Sequence, residues 1–479
     1  MTTAATNPTT ATSTATAATT NTTATDVAIT TATDSADATT ATTPILLPLD
    51  LPQTQVLPDG DLQVHRSILP GGVRVLTQHM PGTRAVALGF WVPTGSRDET
   101  PELAGASHFL EHLLFKGTHT RSALQIATAF DQVGGDSNAA TGRESTFFWA
   151  QVLDEDAPMA LEILADMITS SRLRDEDVQI ERGVILDELA ITDDSPGDLG
   201  HEVFQLLIHG DTGLGRPVGG TAESVAALPA AAIRRIYREK YLPNNLIFTA
   251  AGNVNHEQIC EQLQQAFAEL GVELAEGQAP APRRAKVSEF SQPGTPAEQV
   301  LRRPGEQAHV FVGGKWLPAL DPKGPANVVF STVLGGGMSS RLFQEVREKR
   351  GLAYTTYAFS SAFADTGTFG LYAGCAPQNA QEVRKILWGQ AEEIAAHGIT
   401  QDELARTQGQ LVGSMFLGLE DSQSRMRRLG DAELRGAFIA TPTAVARTRG
   451  VTTEQVQELA QTLVESARVE VLVLPKEAA

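Results

Sequence analysis

The sequence of 479 residues is poor in cysteine, in long apolar runs and, over its first part, in positive charge. The two cysteines, Cys260 and Cys375, match no metal-ligand spacing, and we expect small buried residues in a reducing compartment. No apolar run approaches the length that spans a bilayer. The first lysine or arginine is Arg66, so we expect neither the charged segment of a signal peptide nor the Arg-rich face of a mitochondrial presequence. We therefore expect a cytoplasmic protein without a membrane partner.

The charge balance is strongly acidic, with 37 Lys and Arg against 57 Asp and Glu and a net charge of −20. This balance argues against a nucleic acid as partner, because phosphate backbones attract basic surfaces. It would suit cationic substrates, although a negative surface commonly serves solubility alone.

The chain is long enough for more than one domain, and its composition changes twice along its length. Residues 1–44 are almost entirely Thr and Ala with few large apolar side chains, which predicts a disordered tail. Residues 271–288 contain Pro280 and Pro282 and predict a linker. The predicted domains are therefore residues 60–270 and 289–476.

The two predicted domains share sequence features at equivalent strand ends and helix starts, which indicates a duplication. Trp91-Val-Pro93 and Trp316-Leu-Pro318 each end an apolar strand, 225 residues apart, and Asp175 and Asp402 each open a helix that follows a helix. In the first copy, Asp61 to Thr77 reads as one strand. Shifted by the same 225 residues, the histidines discussed next fall on Val333 and Gly337, so we expect no metal motif in the second domain.

A helix is predicted over Leu103–Phe115, and it carries His108, Glu111 and His112 on one face. Two imidazoles at i and i+4 can both reach one zinc ion at about 2.0–2.1 Å. The order His-x-x-Glu-His is that of the inverzincins. The alternative is a surface helix with two solvated histidines; with only ten histidines in the chain, this arrangement favours a zinc site.

A catalytic zinc takes three protein ligands, so a third is needed. Glu181 and Glu188 lie seven residues apart, two turns along one face of a predicted helix, and both are candidates. His119 lies beyond Gly117, outside the motif helix, and we do not expect it to bind.

His-x-x-Glu-His followed by a carboxylate 76 positions later resembles the M16 metallopeptidases, which include mitochondrial processing peptidase, insulin-degrading enzyme and pitrilysin. The resemblance implies His108, His112 and Glu188 as zinc ligands, Glu111 as the base that takes the water proton, and Glu181 as a supporting residue. It also implies an α+β fold of two tandem homologous domains, each a mostly antiparallel sheet packed with helices, as in LuxS and the processing peptidases.

Two further segments resemble M16 motifs. Gly134 to Thr146 is similar to the Gly-Gly-x-x-Asn-Ala-x-Thr edge strand that holds a peptide by β-augmentation, which would place Asn138 and Ala139 beside the scissile bond. The glycine run at Gly335 would suit a phosphate cradle opening a helix, but no Gly-Lys-Ser/Thr follows it. Gly335 to Tyr354 resembles the M16 C-terminal motif instead, which implies that Arg347 and Tyr354 bind the substrate backbone and stabilise the oxyanion.

The length is similar to that of the shorter M16 proteins, whose subunits pair into a hollow chamber. We therefore expect a homodimer in which Arg347 and Tyr354 act on the zinc site of the other subunit. The substrates would be unfolded peptides or presequence-like segments. The alternative is a non-catalytic scaffold or core subunit of the same fold, but such subunits are expected to lose ligands. Specific processing and general peptide degradation both remain open.

Overall fold

The computed structural model describes residues 43–50, 54–285 and 296–476. The predicted tail therefore falls outside the described residues except for positions 43 and 44, and so does the end of the predicted linker. We refer to residues 43–285 as the first half and to residues 296–476 as the second half.

The secondary structure of the first half follows the predicted mixture of strands and helices. In chain order it contains β1 (Ile45–Leu46), β2 (Gln55–Asp59), β3 (Leu62–Ile68), β4 (Arg74–His79), β5 (Ala85–Val92), α1 (Ala106–Leu114), α2 (Ala123–Gln132), β6 (Asp136–Thr141), β7 (Thr146–Leu153), α3 (Ala157–Ser170), α4 (Asp175–Asp194), α5 (Pro196–His209), α6 (Ala222–Ala227), α7 (Ala230–Lys240), β8 (Ile247–Gly252) and α8 (His256–Glu269).

The second half has a similar composition of elements. It contains β9 (Ala297–Arg303), β10 (Ala308–Trp316), α9 (Gly324–Gly335), a π-helical segment (Phe343–Glu348), β11 (Ala353–Ala362), β12 (Gly367–Cys375), α10 (Ala380–His397), α11 (Gln401–Gly418), α12 (Ser422–Arg435), β13 (Ala437–Phe438), α13 (Thr441–Arg449), α14 (Thr453–Glu465) and β14 (Val469–Pro475). No helix of the described residues is both long and apolar enough to cross a bilayer.

The two large sheets share one topology. The first has the order β2-β3-β4-β8-β5-β7-β6 and the second β9-β14-β10-β12-β11. The five strands β4-β8-β5-β7-β6 of the first sheet correspond to β9-β14-β10-β12-β11 of the second. In each set the first pair of strands is parallel and the next three pairs are antiparallel. Trp91 and Trp316 lie on the equivalent strands β5 and β10. The predicted fold class, two tandem homologous units with mostly antiparallel sheets, is confirmed.

The prediction of one strand from Asp61 to Thr77 is wrong. The segment forms β3 and β4, which pair antiparallel around a turn at Pro70, Gly71 and Gly72. Both glycines have a φ of 77°, in the left-handed region that other residues seldom adopt. The turn therefore reverses the chain inside a segment whose side chains alternate like those of a single strand.

Each half contributes a helix to the sheet of the other half. Helix α12 packs on β4, β5 and β8, where Met426 and Leu429 are buried with Trp91 of the first half. Helix α5 packs on β10, β12 and β14, where Phe204 is buried with Phe311 of the second half. Each fully buried large apolar side chain contributes about 1.5–3 kcal/mol. The halves are therefore held together by two exchanged helices with apolar contacts.

Buried ion pairs reinforce the exchange of α12. The Arg66 guanidinium donates two hydrogen bonds to the Glu433 carboxylate, at 2.7 and 3.1 Å. Asp59 of β2 accepts hydrogen bonds from both terminal nitrogens of Arg428, at 2.6 and 3.0 Å, and from the Thr441 N–H at 2.6 Å. These pairs fix the position of α12 against the first sheet.

Candidate metal centre

The start of helix α1 is fixed by a buried carboxylate. Glu99 accepts hydrogen bonds from the backbone N–H groups of Gly105 and Ser107, at 2.8 and 2.6 Å. Burial raises the pKa of Glu99 to about 7, although these hydrogen bonds oppose the shift. Gly105 has a φ of 93°, and a Cβ there would lie 2.5 Å from the carbonyl oxygen of Gly219. The position of the first turn of α1 therefore depends on Glu99 and on Gly105.

Burial of one side of α1 turns its polar face toward α4. The buried residues of the helix are Ala106, Ser107, Phe109, Leu110, Leu113 and Leu114. The polar face carries His108, Glu111 and His112, as the helix period predicts.

Three possible ligand atoms meet between α1 and α4. Nε2 of His108 lies 3.3 Å from Nε2 of His112, and Oε2 of Glu188 lies 3.4 Å from His112 Nε2 and 3.8 Å from His108 Nε2. In a tetrahedral zinc site with ligands about 2.0–2.1 Å from the ion, two ligand atoms are about 3.3–3.4 Å apart. The donor set and its spacing therefore fit a zinc ion.

The pKa of His108 also suits a metal ligand. Burial lowers the pKa of His108, and the neighbouring His112 lowers it further, while Glu111 and Glu188 act in the opposite direction. A neutral imidazole is the form that binds metal.

Glu181 lies on the other side of the His112 ring from Glu188. Its Oε2 is 3.2 Å from Nδ1 of His112, and its Oε1 is 2.6 Å from Nζ of Lys116. Only 2% of Glu181 is exposed. Because the carboxylate accepts the Nδ1 proton, Nε2 of His112 keeps its lone pair toward His108 and Glu188. The structure thus places the two glutamates, which the sequence alone left as alternatives, at different nitrogens of one ring.

Glu111 does not belong to the three-atom group. Its carboxylate accepts a hydrogen bond from the Thr141 hydroxyl at 2.5 Å. Thr141 is the last residue of β6, which packs against α1. Thr141 of β6 therefore holds the Glu111 side chain in place. Glu111 precedes His112 in the helix, but its carboxylate is not one of the three grouped ligand atoms.

The predicted peptide-binding strand is β6, at the edge of the seven-stranded sheet. Along β6 exposed and half-buried residues alternate, with Asn138 exposed and Ala139 packed against the core. The Asn138 amide oxygen accepts the N–H of Ala139 at 2.8 Å. Among the described residues β6 pairs with β7 on one side, and no strand pairs with it on the other side.

Arg347 and Tyr354 form a pair in the second half. The Arg347 guanidinium lies 4.4 Å from the centre of the Tyr354 ring and donates to the Tyr354 carbonyl oxygen at 3.2 Å. Tyr354 lies at a register shift of the edge strand β11 and is 76% exposed. Among the described residues, no hydrogen bond or ion pair joins this pair to the histidines of α1.

The comparison with known proteins follows the same division of the chain. The family model described as Insulinase (Peptidase family M16) matches residues 74–222, and the one described as Peptidase M16 inactive domain matches residues 227–411. An uncharacterized zinc protease of Streptomyces coelicolor is 46% identical over 413 residues, which cover 85% of this chain and 90% of that protein. The chain belongs to the M16 peptidase family.

Other M16 relatives agree with this assignment. The uncharacterized zinc protease YmxG of Bacillus subtilis is 36% identical, over 78% of this chain and 88% of that protein. Among solved structures, a protease from Helicobacter pylori has a TM-score of 0.78 at 21% identity and covers 89% of this chain and all of that one. The M16 inactive domain from Pseudomonas fluorescens has a TM-score of 0.76 at 18% identity, over 89% and 98% of the two chains. At such identities these two structures show the fold.

Two polar residues at the M16 site were not singled out from the sequence. Thr141 closes the Gly-Gly-x-x-Asn-Ala-x-Thr motif and lies two residues after Ala139, so strand alternation places it on the side facing α1. Lys116 lies four residues after His112, two residues beyond the end of α1. Strand alternation gives the face of β6 on which Thr141 lies, but its contact with Glu111 depends on how β6 packs against α1. His119 lies outside the three-atom group.

Proposed function

We propose that this protein is a zinc-dependent endopeptidase that cleaves unfolded peptides. The observation that carries the proposal is the grouping of His108 Nε2, His112 Nε2 and Glu188 Oε2, which lie 3.3–3.8 Å apart, close to the ligand spacing of a tetrahedral zinc site. The presence of Glu111 beside these ligands, outside the group itself, supports catalysis over a scaffold role. The names of the relatives, zinc proteases, agree with it.

In the proposed reaction each residue has one task. His108, His112 and Glu188 would hold Zn²⁺, which when bound polarises a carbonyl group and lowers the pKa of water. The Glu111 carboxylate takes a proton from the attacking water and returns it to the nitrogen of the leaving amine. Thr141 keeps that carboxylate in place, and Glu181 orients the His112 ring.

The substrate would add to the sheet as an extra strand along β6. Main-chain hydrogen bonds on the open edge bind an extended peptide whatever its side chains, so unfolded segments are favoured over folded proteins. Asn138 and Ala139 would then lie beside the scissile bond. The net charge of −20 supports cationic peptides as one substrate class.

We further propose that the active unit is a homodimer in which Arg347 and Tyr354 serve the zinc site of the partner subunit. The pair is formed, with Tyr354 exposed and Arg347 half-buried, but the contacts of the described residues do not connect it to α1 of the same chain. An Arg–Tyr pair at a strand edge can bind a peptide carbonyl and stabilise a developing oxyanion.

Complementation tests the proposed assembly. A mixture of Arg347→Ala and Glu111→Gln chains should recover activity, because one site of a mixed dimer then has both components intact. A mixture of Arg347→Ala and Tyr354→Phe chains is the matched control and should recover none, since every site keeps one lesion. Equal activity in the two mixtures would refute the arrangement in trans.

Cleavage of a mixed peptide library before and after chelation tests the activity itself. We expect cleavage that stops with a chelator and returns with Zn²⁺. Stoichiometric zinc without cleavage would favour the scaffold alternative. Cleavage of a single peptide would favour specific processing over general degradation.

A further inference from the structure

A cavity of about 220 Å³ lies between the two halves, and none of the candidate zinc ligands lines it. The β6–β7 turn (142–145), the β11–β12 turn (362–364), the connecting segment 282–284 and the end of α12 line it. It is therefore walled by both halves and by the segment that joins them.

The wall of this cavity is basic, although the chain as a whole is acidic. Its described lining includes the five arginines Arg74, Arg143, Arg283, Arg284 and Arg435 and the two acids Glu144 and Asp431. In a chain with 37 basic and 57 acidic residues, such an excess of guanidinium groups needs a source of compensating charge.

Two of the five arginines have carboxylate partners. Arg284 donates to both oxygens of Asp98, at 2.8 and 2.7 Å. Arg283 forms an ion pair with Glu433, which also binds Arg66. The single charge of Glu433 is thus already shared between two guanidinium groups.

The other three arginines have no carboxylate hydrogen bond within the described part of the chain. Arg143 donates to the carbonyl oxygen of Leu214 at 2.9 Å and interacts with Glu202 through charge alone. Arg435 interacts with Asp431 through charge alone. Arg74 donates from one terminal nitrogen to the carbonyl oxygen of Asn245 at 2.7 Å.

Arg74 is the most unusual member of the group. It is 1% exposed, and its Nε has no hydrogen-bond partner among the described residues. Burial lowers its pKa to about 10, and the charges of Arg283 and Arg66 lower it as well, against the opposing effect of Glu433. A buried donor without an acceptor costs about 1–3 kcal/mol, more for a charged group.

The two acids in the wall do not supply the missing charge. Glu144 is engaged by Arg97 at 2.5 Å, by Arg284 at 3.5 Å and by the Ala364 N–H at 3.1 Å. Asp431 interacts through charge with both Arg435 and Arg427, so its single charge is shared between two guanidinium groups. The net charge of the wall remains positive.

We propose that this cavity binds a small oxyanion of the phosphate type, which bridges Arg74 and Arg143 of the first half to Arg435 of the second. Guanidinium forks match the oxygens of a phosphate group and are its preferred side-chain partners. The volume has room for several water molecules, each with a share of about 30 Å³, and hence for an ion of phosphate size. The bound anion clamps the two halves and acts independently of peptide hydrolysis.

Thermal unfolding of the full-length, zinc-loaded protein with inorganic phosphate or sulfate, at an ionic strength held constant with chloride, tests the proposal. We expect the unfolding temperature to rise with either oxyanion, as it does for any ligand that binds only the folded state. The variants Arg143→Gln and Arg435→Gln should bind roughly tenfold more weakly, since each loses charged hydrogen bonds.

Arg406→Gln is the matched control, because Arg406 is exposed on α11, outside the cavity, and loses the same charge. It should respond like the wild type. Because each variant is compared with itself without oxyanion, a loss of basal stability does not affect the result. If Arg143→Gln does not fold, the exposed position of Arg435 at the end of α12 makes Arg435→Gln the variant that decides. An equal response of all chains, or none in the wild type, would overturn the proposal.

Discussion

The Thr141 hydroxyl donates a hydrogen bond to the Glu111 carboxylate at 2.5 Å. This contact connects the edge strand β6 to the helix that carries both histidines. A base held by the strand on which the peptide is proposed to lie has a fixed position relative to the scissile bond. The contact therefore bears on the rate of reaction and not on metal binding.

We expect Thr141→Val to lower kcat by roughly tenfold, because a hydrogen bond to a charged group contributes about 1.5–3 kcal/mol. KM and zinc content should change little. Thr141→Ser keeps the hydroxyl and should restore most of the rate. A parallel loss in both variants would mean that the methyl packing of Thr141 matters, and the proposed positioning would be wrong.

Glu181→Gln should weaken zinc binding by about 10–100-fold, the effect that loss of a carboxylate behind a ligating histidine produces. The reason is that the Nδ1 proton of His112 loses its charged acceptor, 3.2 Å away. Competition with a chelator of known affinity measures the change. Asp187→Asn on the same helix, exposed and outside the three-atom group, should leave the affinity unchanged.

The close packing of α12 on the first sheet predicts how substitutions in this helix change the free energy of unfolding. A Cβ at Gly430 would overlap the indole of Trp91 in the first half. Gly430→Ala should therefore destabilise the fold by about 1–3 kcal/mol, the cost of overpacking a core. A Cβ at Gly409 of α11 would meet no neighbouring atom within 4 Å, so Gly409→Ala should be neutral or stabilise by about 0.5–1 kcal/mol. Urea unfolding of both variants would show whether the close packing of α12 is real.

The surroundings of Asp59 predict how the stability of the fold depends on pH. Burial by itself would raise its pKa, but the hydrogen bond and charge of Arg428, with the Thr441 N–H and Gln78, hold that pKa well below its usual range. A carboxylate with a lowered pKa stabilises the fold above the pKa of the unfolded chain, about 3.9, and this contribution is lost as the pH falls further.

We expect Asp59→Asn to be less stable than the wild type at about pH 7 by about 3–5 kcal/mol, the cost of breaking a buried pair. The difference should narrow below about pH 4, where protonation of the unfolded wild-type chain removes its advantage. Asp61→Asn, an exposed neighbour, is the control and should follow the wild type at every pH. A constant difference between Asp59→Asn and the wild type would contradict the assigned direction of the pKa.

Much of the fold could be predicted from the sequence because both copies of the duplication carry the same residues at strand ends and helix starts. Trp91 and Trp316 mark equivalent strands, and Asp175 and Asp402 mark equivalent helices. The exchange of α5 and α12 could not be predicted in this way. An amphipathic pattern shows that one face of a helix is buried, but it does not show which sheet buries it.

The metal site was predictable to a different extent. The helical period alone placed His108, Glu111 and His112 together, because all three lie within one turn of α1. It could not separate Glu181 from Glu188, which share one face of α4. The three-dimensional position of the His112 ring separates them, since one carboxylate meets Nδ1 and the other meets Nε2. Thr141 and the arginine-lined cavity depend on contacts between distant segments and had no local signal strong enough to predict them.

The most direct test of the proposed function is zinc content and peptide cleavage measured together on the wild type and on Glu111→Gln. Glu111 contacts Thr141 and lies outside the three-atom group, so the substitution should leave one zinc per chain in place. Cleavage should fall by about 10²–10⁴-fold, the usual contribution of a general base. A Glu111→Gln protein that binds zinc and still cleaves peptides at the wild-type rate would contradict the account.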